Sequence, residues 1–332
     1  MRNKTRRAVL YSAVLLFVTL FQPFAARAAD CEAVLLADVR VYIAPDGQLF
    51  LPATIGGRQV YFELSMGSGL PMLLESSVKA LGLIPKRMNG TGEFYSRDIT
   101  HFVQLEGLKV GDFQFKNRAA PVLPEPDAAG PHMLEDRLVA GTIGSTLFRG
   151  VDAELNLAER QLKLFSPFRC VGRSPVSWGA EAAKLPMRFD QAGALMFTLQ
   201  LNGRKVEASM LSGSRYSTID VNAAREFFGF DENSAGVKIV EAADGSPRRV
   251  FHAMSLTGPG LEIPETSVQL RGGSECKLTG STRIYGAIGY TECLNVVPFR
   301  LGVDLLSRMR IYVASERQTV FVKFLGDQAP AN

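Results

Sequence analysis

Apolar and polar residues alternate in short segments along most of this 332-residue chain. Segments of this kind, separated by turn residues roughly every eight to twelve positions, are typical of strands in an all-β protein. Two short stretches have helical spacing instead and end in Gly82 and Gly229, and glycine is a common residue just past a helix. The pattern therefore predicts an all-β fold with short helices, and it favours closed β-barrels.

One strand–loop–helix unit occurs twice. The segment ATIGGRQV ends at Val60 and LQLNGRKV ends at Val206, an offset of 146 residues, and each leads into a second strand, a Gly-Ser loop and a short helix. A later pair, Ile143–Phe165 and Arg300–Phe324, is offset by 157 or 158 residues. The second copy is thus expected to hold about a dozen extra residues, around Thr291–Pro298. The repeat predicts two lobes built on one plan, with a cleft between them.

The pattern predicts five parts of the chain. They are a signal peptide (1–28), a first lobe (29–168), an aperiodic linker (169–183), a second lobe (184–326) and a tail (327–332).

The first residues have the order of a secretory signal peptide. Basic residues precede an apolar run at Ala8–Phe21, and the small-residue site Ala26-Arg27-Ala28 follows. The segment Thr5–Leu10 also resembles a twin-arginine signal, so both export routes stay open. The protein is expected to be periplasmic or secreted and to meet the membrane only during export.

Cleavage after Ala28 changes the electrostatic picture. It removes five cations (Arg2, Lys4, Arg6, Arg7 and Arg27) and no anion, so the formal charge falls from +4 to 4 − 5 = −1. A nucleic-acid partner is not expected of such a chain.

All four cysteines remain after cleavage, and an even number in an oxidising compartment predicts disulfides. Three pairings are possible, of which Cys31–Cys170 and Cys276–Cys293 are favoured. No cysteine–histidine cluster is present, so neither a metal nor a cofactor is expected.

Taken together, these segments resemble the retropepsin-like (pepsin-like) aspartic proteases in their tandem two-lobe form. The shared features are the strand, glycine loop, apolar step and short helix, a Leu-Gly-x-Asp-x-Leu segment at Leu301–Leu306, and a closing Glu-Arg-Gln hairpin. The resemblance covers nearly all of the mature chain. It is strongest at Ala53–Leu83, Leu199–Phe230, Ala140–Phe165 and Arg300–Val322. It implies two homologous β-barrel lobes around a cleft.

The family places an aspartate first in an Asp-Thr-Gly or Asp-Ser-Gly triplet of each lobe, and the two carboxyls share one proton. Here the triplets are Ser65-Met66-Gly67 and Leu211-Ser212-Gly213. Both aspartate positions are therefore substituted, and the resemblance implies an inactive pseudoenzyme. Its cleft is expected to bind a peptide, a protein segment or another extended ligand by strand addition.

Three other carboxylates are candidates to replace the missing aspartates. Glu63 is expected to be a strand-edge or surface carboxylate, and Asp220 a helix N-terminal residue favoured by the dipole. Asp304 matches an acidic position of the family's closing segment that is not catalytic.

The candidate binding residues lie in the small-residue loops and a hairpin tip: Gly67, Ser68, Tyr95, Ser212, Gly213 and Ser214. Tyr95 is either an aromatic over the cleft or a packing residue. No G-x-S-x-G motif is present and the three histidines are isolated, which disfavours a serine hydrolase. A hydrolase with displaced catalytic groups and a purely structural envelope protein are the alternatives.

Overall fold

The structure is a computed structural model that describes residues 33–67, 69–88, 99–116, 118–125, 130–170, 172–190, 193–241, 247–271 and 297–326. Several predictions concern residues outside these ranges. They are the signal peptide, the tail, Ser68, Tyr95, Cys31, Cys276, Cys293, most of the extra segment expected around Thr291–Pro298, and the hairpin tips 89–92 and 243–246.

The first half of the chain forms fourteen strands within the described ranges. They are β1 Leu35–Arg40, β2 Tyr42–Ile43, β3 Leu49–Ile55, β4 Arg58–Ser65, β5 Met72–Leu74, β6 Lys86–Arg87, β7 His101–Leu105, β8 Lys109–Val110, β9 Phe113–Gln114, β10 Arg118–Leu123, β11 Met133–Leu134, β12 Arg137–Gly144, β13 Asp152–Asn156 and β14 Gln161–Phe165.

The second half contributes ten more described strands. They are β15 Ala183–Phe189, β16 Leu195–Leu201, β17 Arg204–Met210, β18 Thr218–Asp220, β19 Val237–Glu241, β20 Pro247–Gly258, β21 Leu261–Arg271, β22 Phe299–Leu301, β23 Met309–Ala314 and β24 Thr319–Phe324.

Helices are short. The α-helices are α1 Glu75–Leu81, α2 Val221–Ala223 with a π-helical continuation at Ala224–Phe228, and α3 Val303–Leu306; 3-10 turns lie at Ser145–Phe148 and Gly179–Glu181. Strands make up 53% and helices 10% of the described residues, which confirms the all-β prediction. None of the helices in these ranges is long and apolar enough to cross a membrane.

An antiparallel sheet joins the two halves of the chain, with the strand order β1-β14-β13-β23-β24-β15. At its centre, Ala153 of β13 pairs with Val313 of β23, and Asn156 pairs with Arg310. A shift of 157 residues converts each of these pairs into the other (153 + 157 = 310; 156 + 157 = 313). The two halves therefore meet through equivalent strands about a local two-fold axis.

Each lobe has the same strand order around its loop. In the first lobe β12 lies between β4 and β5, and in the second β22 lies between β17 and β18. Phe62 pairs with Gly141 and Ala208 with Phe299, offsets of 146 and 158 that match the sequence repeat. The second lobe closes as a six-stranded barrel through an added β16–β20 pairing. The pairings of the first lobe's described residues follow the same order without that closing contact.

The central sheet has two different faces because successive residues of a strand point to opposite sides. Ala153 and Leu155 of β13 and Ile311 of β23 belong to the main hydrophobic core. The other face carries Glu154 and Tyr312 and is covered by the segment predicted as a linker.

That second face holds a buried polar network under the linker. Arg310 donates to Oε1 of Glu154 at 3.0 and 2.6 Å, and the Trp178 indole N–H donates to Oε2 at 3.3 Å. Tyr312 donates to Asp152 at 3.0 Å, and burial raises the pKa of that carboxyl. The linker segment is therefore packed on the sheet by specific contacts, although its sequence has no periodicity.

Among the described residues no cysteine is a free thiol. Cys170 is the one cysteine that the structure describes, near the start of the segment predicted as a linker. Both favoured disulfide pairings include residues outside the described ranges, so they stay predictions.

Candidate functional site

The loops that follow β4 and β17 leave their strands at equivalent places. Ser65, the last residue of β4, pairs with Gly144 of the parallel strand β12. Leu211, the residue after β17, donates its N–H to the carbonyl of Leu301 in β22 at 2.7 Å. Each loop is thus anchored to a buried central strand of its own lobe.

Ser212 carries a hydrogen bond from the second lobe to the first. Its hydroxyl accepts from the backbone N–H of Met66 at 2.8 Å and donates to the carbonyl of Leu64 at 2.5 Å. The equivalent position in the first lobe is Met66 (212 − 146), whose buried thioether side chain replaces a hydroxyl donor. These side-chain hydrogen bonds between the loops therefore come from the second lobe, through Ser212.

Backbone contact brings the two substituted positions together. A Cβ atom at Gly67 would lie 3.1 Å from the carbonyl oxygen of Met210 and 3.9 Å from Cδ1 of Leu211. Ser65 lies between the two residues that Ser212 holds. Ser65 and Leu211 therefore occupy adjoining loops where the lobes meet, and this junction is called the interlobe site below.

A hairpin turn from each lobe packs on the loop of the other lobe. Gly47 has φ +90° and its Cβ would lie 2.6 Å from Cα of Arg215, while Gly193 has φ +84° and its Cβ would lie 3.0 Å from Cα of Gly69. Both contacts are related by 146 residues (47 + 146 = 193; 69 + 146 = 215). Glycine is required at both turns, since the conformation is left-handed and the opposing backbone leaves no room for a side chain.

The candidate binding residues differ in accessibility. Gly67 is exposed, Gly213 and Ser214 are half-buried, and Ser212 is fully buried with its hydroxyl engaged between two backbone groups. The glycines at 67 and 213 are explained by contacts between the lobes, so their retention is not in itself a sign of a ligand. The binding roles of these residues stay predictions.

Glu63 lies in a different environment from the one expected from its sequence position. Its strand β4 lies between β3 and β12, so the expected strand-edge position is wrong, and its side chain is half-buried rather than on the open surface. A Cβ atom at Gly213 would lie 2.4 Å from Oε1 of Glu63, which places the carboxyl against the loop of the second lobe.

The environment of Glu63 favours its neutral form. Burial raises the pKa of Glu63 to about 7, and the negative charge of Asp46 adds to this shift. No hydrogen bond or ion pair to the carboxyl is found in the described part of the chain. The equivalent residue in the second lobe (63 + 146) is Ser209, so this carboxyl has no symmetric partner with which to share a proton.

The other two carboxylates have structural roles. Asp220 caps α2 by accepting from the N–H groups of Asn222 and Ala223 at 2.9 and 3.4 Å, which confirms the helix N-terminal interpretation. Asp304 accepts from the N–H and the hydroxyl of Ser217 at 2.9 and 2.7 Å, and burial raises its pKa. Asp304 therefore supports the second loop from beneath.

The described histidines lie away from the interlobe site. Each bonds to a nearby side chain: Thr100 for His101, Glu125 for His132 and Ser267 for His252. Within the ranges that the structure covers, no group of three or more His, Cys, Asp or Glu side chains could hold a metal ion.

No protein-family model matches the chain, and no curated protein matches it in sequence. Solved structures match it in shape. An aspartic proteinase from Irpex lacteus aligns at a TM-score of 0.48 and 11% identity, covering 88% of this chain and 98% of the proteinase.

Two further solved structures give similar values. Conglutin gamma, a basic 7S globulin from lupine seeds, aligns at a TM-score of 0.48 and 10% identity over 91% of this chain and 100% of its own. EDGP aligns at a TM-score of 0.45 and 10% identity, covering 89% of this chain and 96% of its own. At TM-scores and sequence identities this low, neither an activity nor a ligand of these proteins can be assigned to the present chain.

Ser212→Ala tests whether the crossing hydroxyl holds the loops. The variant leaves the Met66 N–H buried without its acceptor, which is expected to lower the free energy of unfolding by about 1–3 kcal/mol. Ser214→Ala is the matched control, because its hydroxyl donates to the carbonyl of Tyr216 within the same loop at 3.1 Å. Urea unfolding measures both variants; equal losses would contradict the special role of Ser212.

Glu63→Gln tests the environment of the carboxyl. The folded-state pKa of Glu63 is raised from 4.5 to about 7. At pH values between these two, the folded chain therefore binds a proton that the unfolded chain has lost. Its stability therefore falls as pH rises through this window, by about 3 kcal/mol for a shift of this size. Glutamine does not ionise, so the Glu63→Gln variant does not lose this stability as pH rises.

The free energy of unfolding of Glu63→Gln, relative to that of the unmodified protein, is therefore expected to rise by about 3 kcal/mol between pH 4 and pH 8. Denaturant unfolding at several pH values measures the difference, with the exposed Glu262→Gln as a control. A difference that is constant with pH would show that Glu63 titrates normally.

Proposed function

We propose that this chain is an exported protein of the two-lobed aspartic-protease type and that it is inactive as an aspartic protease. In this proposal the lobes are repeats of one unit, which the equivalent strand pairings support. One observation carries the proposal: the two loops meet at the interlobe site, yet Ser65 and Leu211 stand where the resemblance implies aspartates. A leucine side chain neither accepts nor donates a proton, so the proton-sharing pair is missing.

We further propose that the cleft binds a peptide or another extended ligand. Exposed Gly67 and half-buried Gly213 and Ser214 give backbone access at the junction of the lobes. Beside them, Glu63 is a half-buried carboxyl with no hydrogen-bond partner among the described residues. An unpartnered buried ionisable group lowers stability, and such groups concentrate at binding and catalytic sites.

A second candidate function is a hydrolase with displaced catalytic groups. The observation that favours it is the pKa of about 7 for Glu63, which suits a general base at neutral pH. Ser65 lies two residues along the same strand and so on the same face. Against it, position 211 offers no second acid.

The absence of turnover is the first test. The purified exported protein is expected to cleave no member of a diverse peptide mixture at pH 4 or pH 7, as judged by mass spectrometry, because the proton-sharing pair is replaced. Cleavage lost in Glu63→Gln would establish the displaced-group hydrolase instead. Cleavage that persists in this variant would assign the chemistry to other residues.

A matched gain-of-function variant accompanies this test. The double substitution Ser65→Asp with Leu211→Asp restores two carboxyls on adjoining loops, and it is expected to give weak acid-pH cleavage. Ser65→Asp alone serves as its control, since one added carboxyl at that position does not make a symmetric pair.

Export and disulfide formation belong to the same proposal. The mass of the exported protein is expected to correspond to a chain beginning at Ala29 with two disulfides. Peptide mapping without reduction is expected to find Cys31 joined to Cys170 and Cys276 joined to Cys293. An uncleaved leader, free thiols or a Cys170–Cys276 bridge would contradict it.

A further inference from the structure

We propose that Glu63 binds a cationic group, an ammonium or a guanidinium, carried by the extended ligand of the cleft. The inference rests on the proposed ligand-binding function and names the chemistry that the ligand must bring. It concerns the Glu63 carboxyl at the interlobe site, a residue that is not among the candidate binding residues named from the sequence.

The position of the carboxyl is fixed from two sides. Glu63 lies on the same strand face as Ser65, two residues before it. Across the junction, its Oε1 lies so close to Gly213 that a Cβ there would be at 2.4 Å. A ligand lying over Gly67 and Gly213 therefore passes beside this carboxyl.

Unsatisfied hydrogen-bonding capacity lies on the same face. Thr142 of β12 is the neighbour of Glu63 in the parallel pairing, so the two side chains share a face. The Thr142 hydroxyl is buried and has no hydrogen-bond partner. Buried polar groups are normally paired, so the unpartnered hydroxyl beside the half-buried carboxyl marks a place where a polar partner is missing.

The charges around the carboxyl favour a cation over an anion or a neutral group. From the turn between β2 and β3, Asp46 contributes negative charge; β3 presents Phe50, and β12 presents Thr142. From the second lobe, the loop that holds Gly213 carries one charged residue, the exposed Arg215, which does not contribute to the shift of Glu63. Asp46 therefore adds negative potential at the carboxyl, which favours a positive group there.

Proton linkage gives this site a characteristic pH dependence. The cation binds the ionised carboxylate, whereas burial and Asp46 favour the protonated form when the site is free. Binding of a cation is therefore expected to release a proton and to strengthen as pH rises through about 7.

The test uses acetylated peptides that differ at one position, which is lysine, arginine, norleucine or glutamate. Peptide binding is measured by fluorescence anisotropy at pH 5 and pH 8, with the exported protein, Glu63→Gln and the control Glu262→Gln. The basic peptides are expected to bind about tenfold more tightly than the norleucine peptide at pH 8, which is the scale of a hydrogen bond to a charged group. The preference for basic peptides is expected to be smaller at pH 5. It is expected to disappear in Glu63→Gln and to remain in Glu262→Gln.

A small probe separates this inference from the proposed function. n-Butylammonium is titrated into the exported protein while the carboxyl ¹³C signal of labelled Glu63 reports its pKa, which is expected to fall. If no peptide binds but the amine lowers this pKa, the cation site stands and the peptide-binding function fails. If peptides bind and Glu63→Gln keeps the same preference, or if the amine leaves the pKa unchanged, the inference is overturned.

Discussion

The antiparallel pairing of β13 with β23 is the constraint on which the interlobe site depends. Its register is two-fold symmetric, so equivalent residues of the two halves pair across it. The loops after β4 and β17 meet near this two-fold axis. The turn at Gly47 packs on the loop at Arg215, and the turn at Gly193 packs on the loop at Gly69, in the same symmetric way. Half-buried Arg310 of β23 also bonds to buried Glu154 of β13, so a polar contact joins the same two strands on the face away from the main core.

Much of this arrangement could be predicted from the sequence, because it is encoded locally. Alternation of period two, glycine turns and helix-ending glycines identify strands and loops without any knowledge of tertiary contacts. The repeat offsets of 146 and 158 residues in the sequence reappear as offsets between equivalent pairings, as at Phe62 and Ala208. The register of the sheets follows from such patterns because a slip of one residue would expose a buried face.

The state of Glu63 could not be predicted in this way. Its spacing from Ser65 fixes the face on which it lies but not what covers that face. Gly213 is 150 residues away in sequence (213 − 63), and Asp46 lies on a separate turn, so burial and repulsion both arise from tertiary contacts. The linker is a similar case, because Trp178 is placed by Glu154 and Arg310 rather than by any periodicity of its own segment.

One carboxyl with a raised pKa differs physically from a proton-sharing pair. In a pair, the charge of one carboxylate raises the pKa of the other, and the same interaction keeps a proton between them. At Glu63 the main cause is the loss of water, with Asp46 as a lesser contribution, so the proton has no second carboxyl at positions 65 or 211 to move to. Burial of this group lowers stability at neutral pH without any compensating partner in the described chain. A neutral side chain would serve packing between the lobes better, and in our proposal a cationic ligand supplies the charge that the carboxylate lacks.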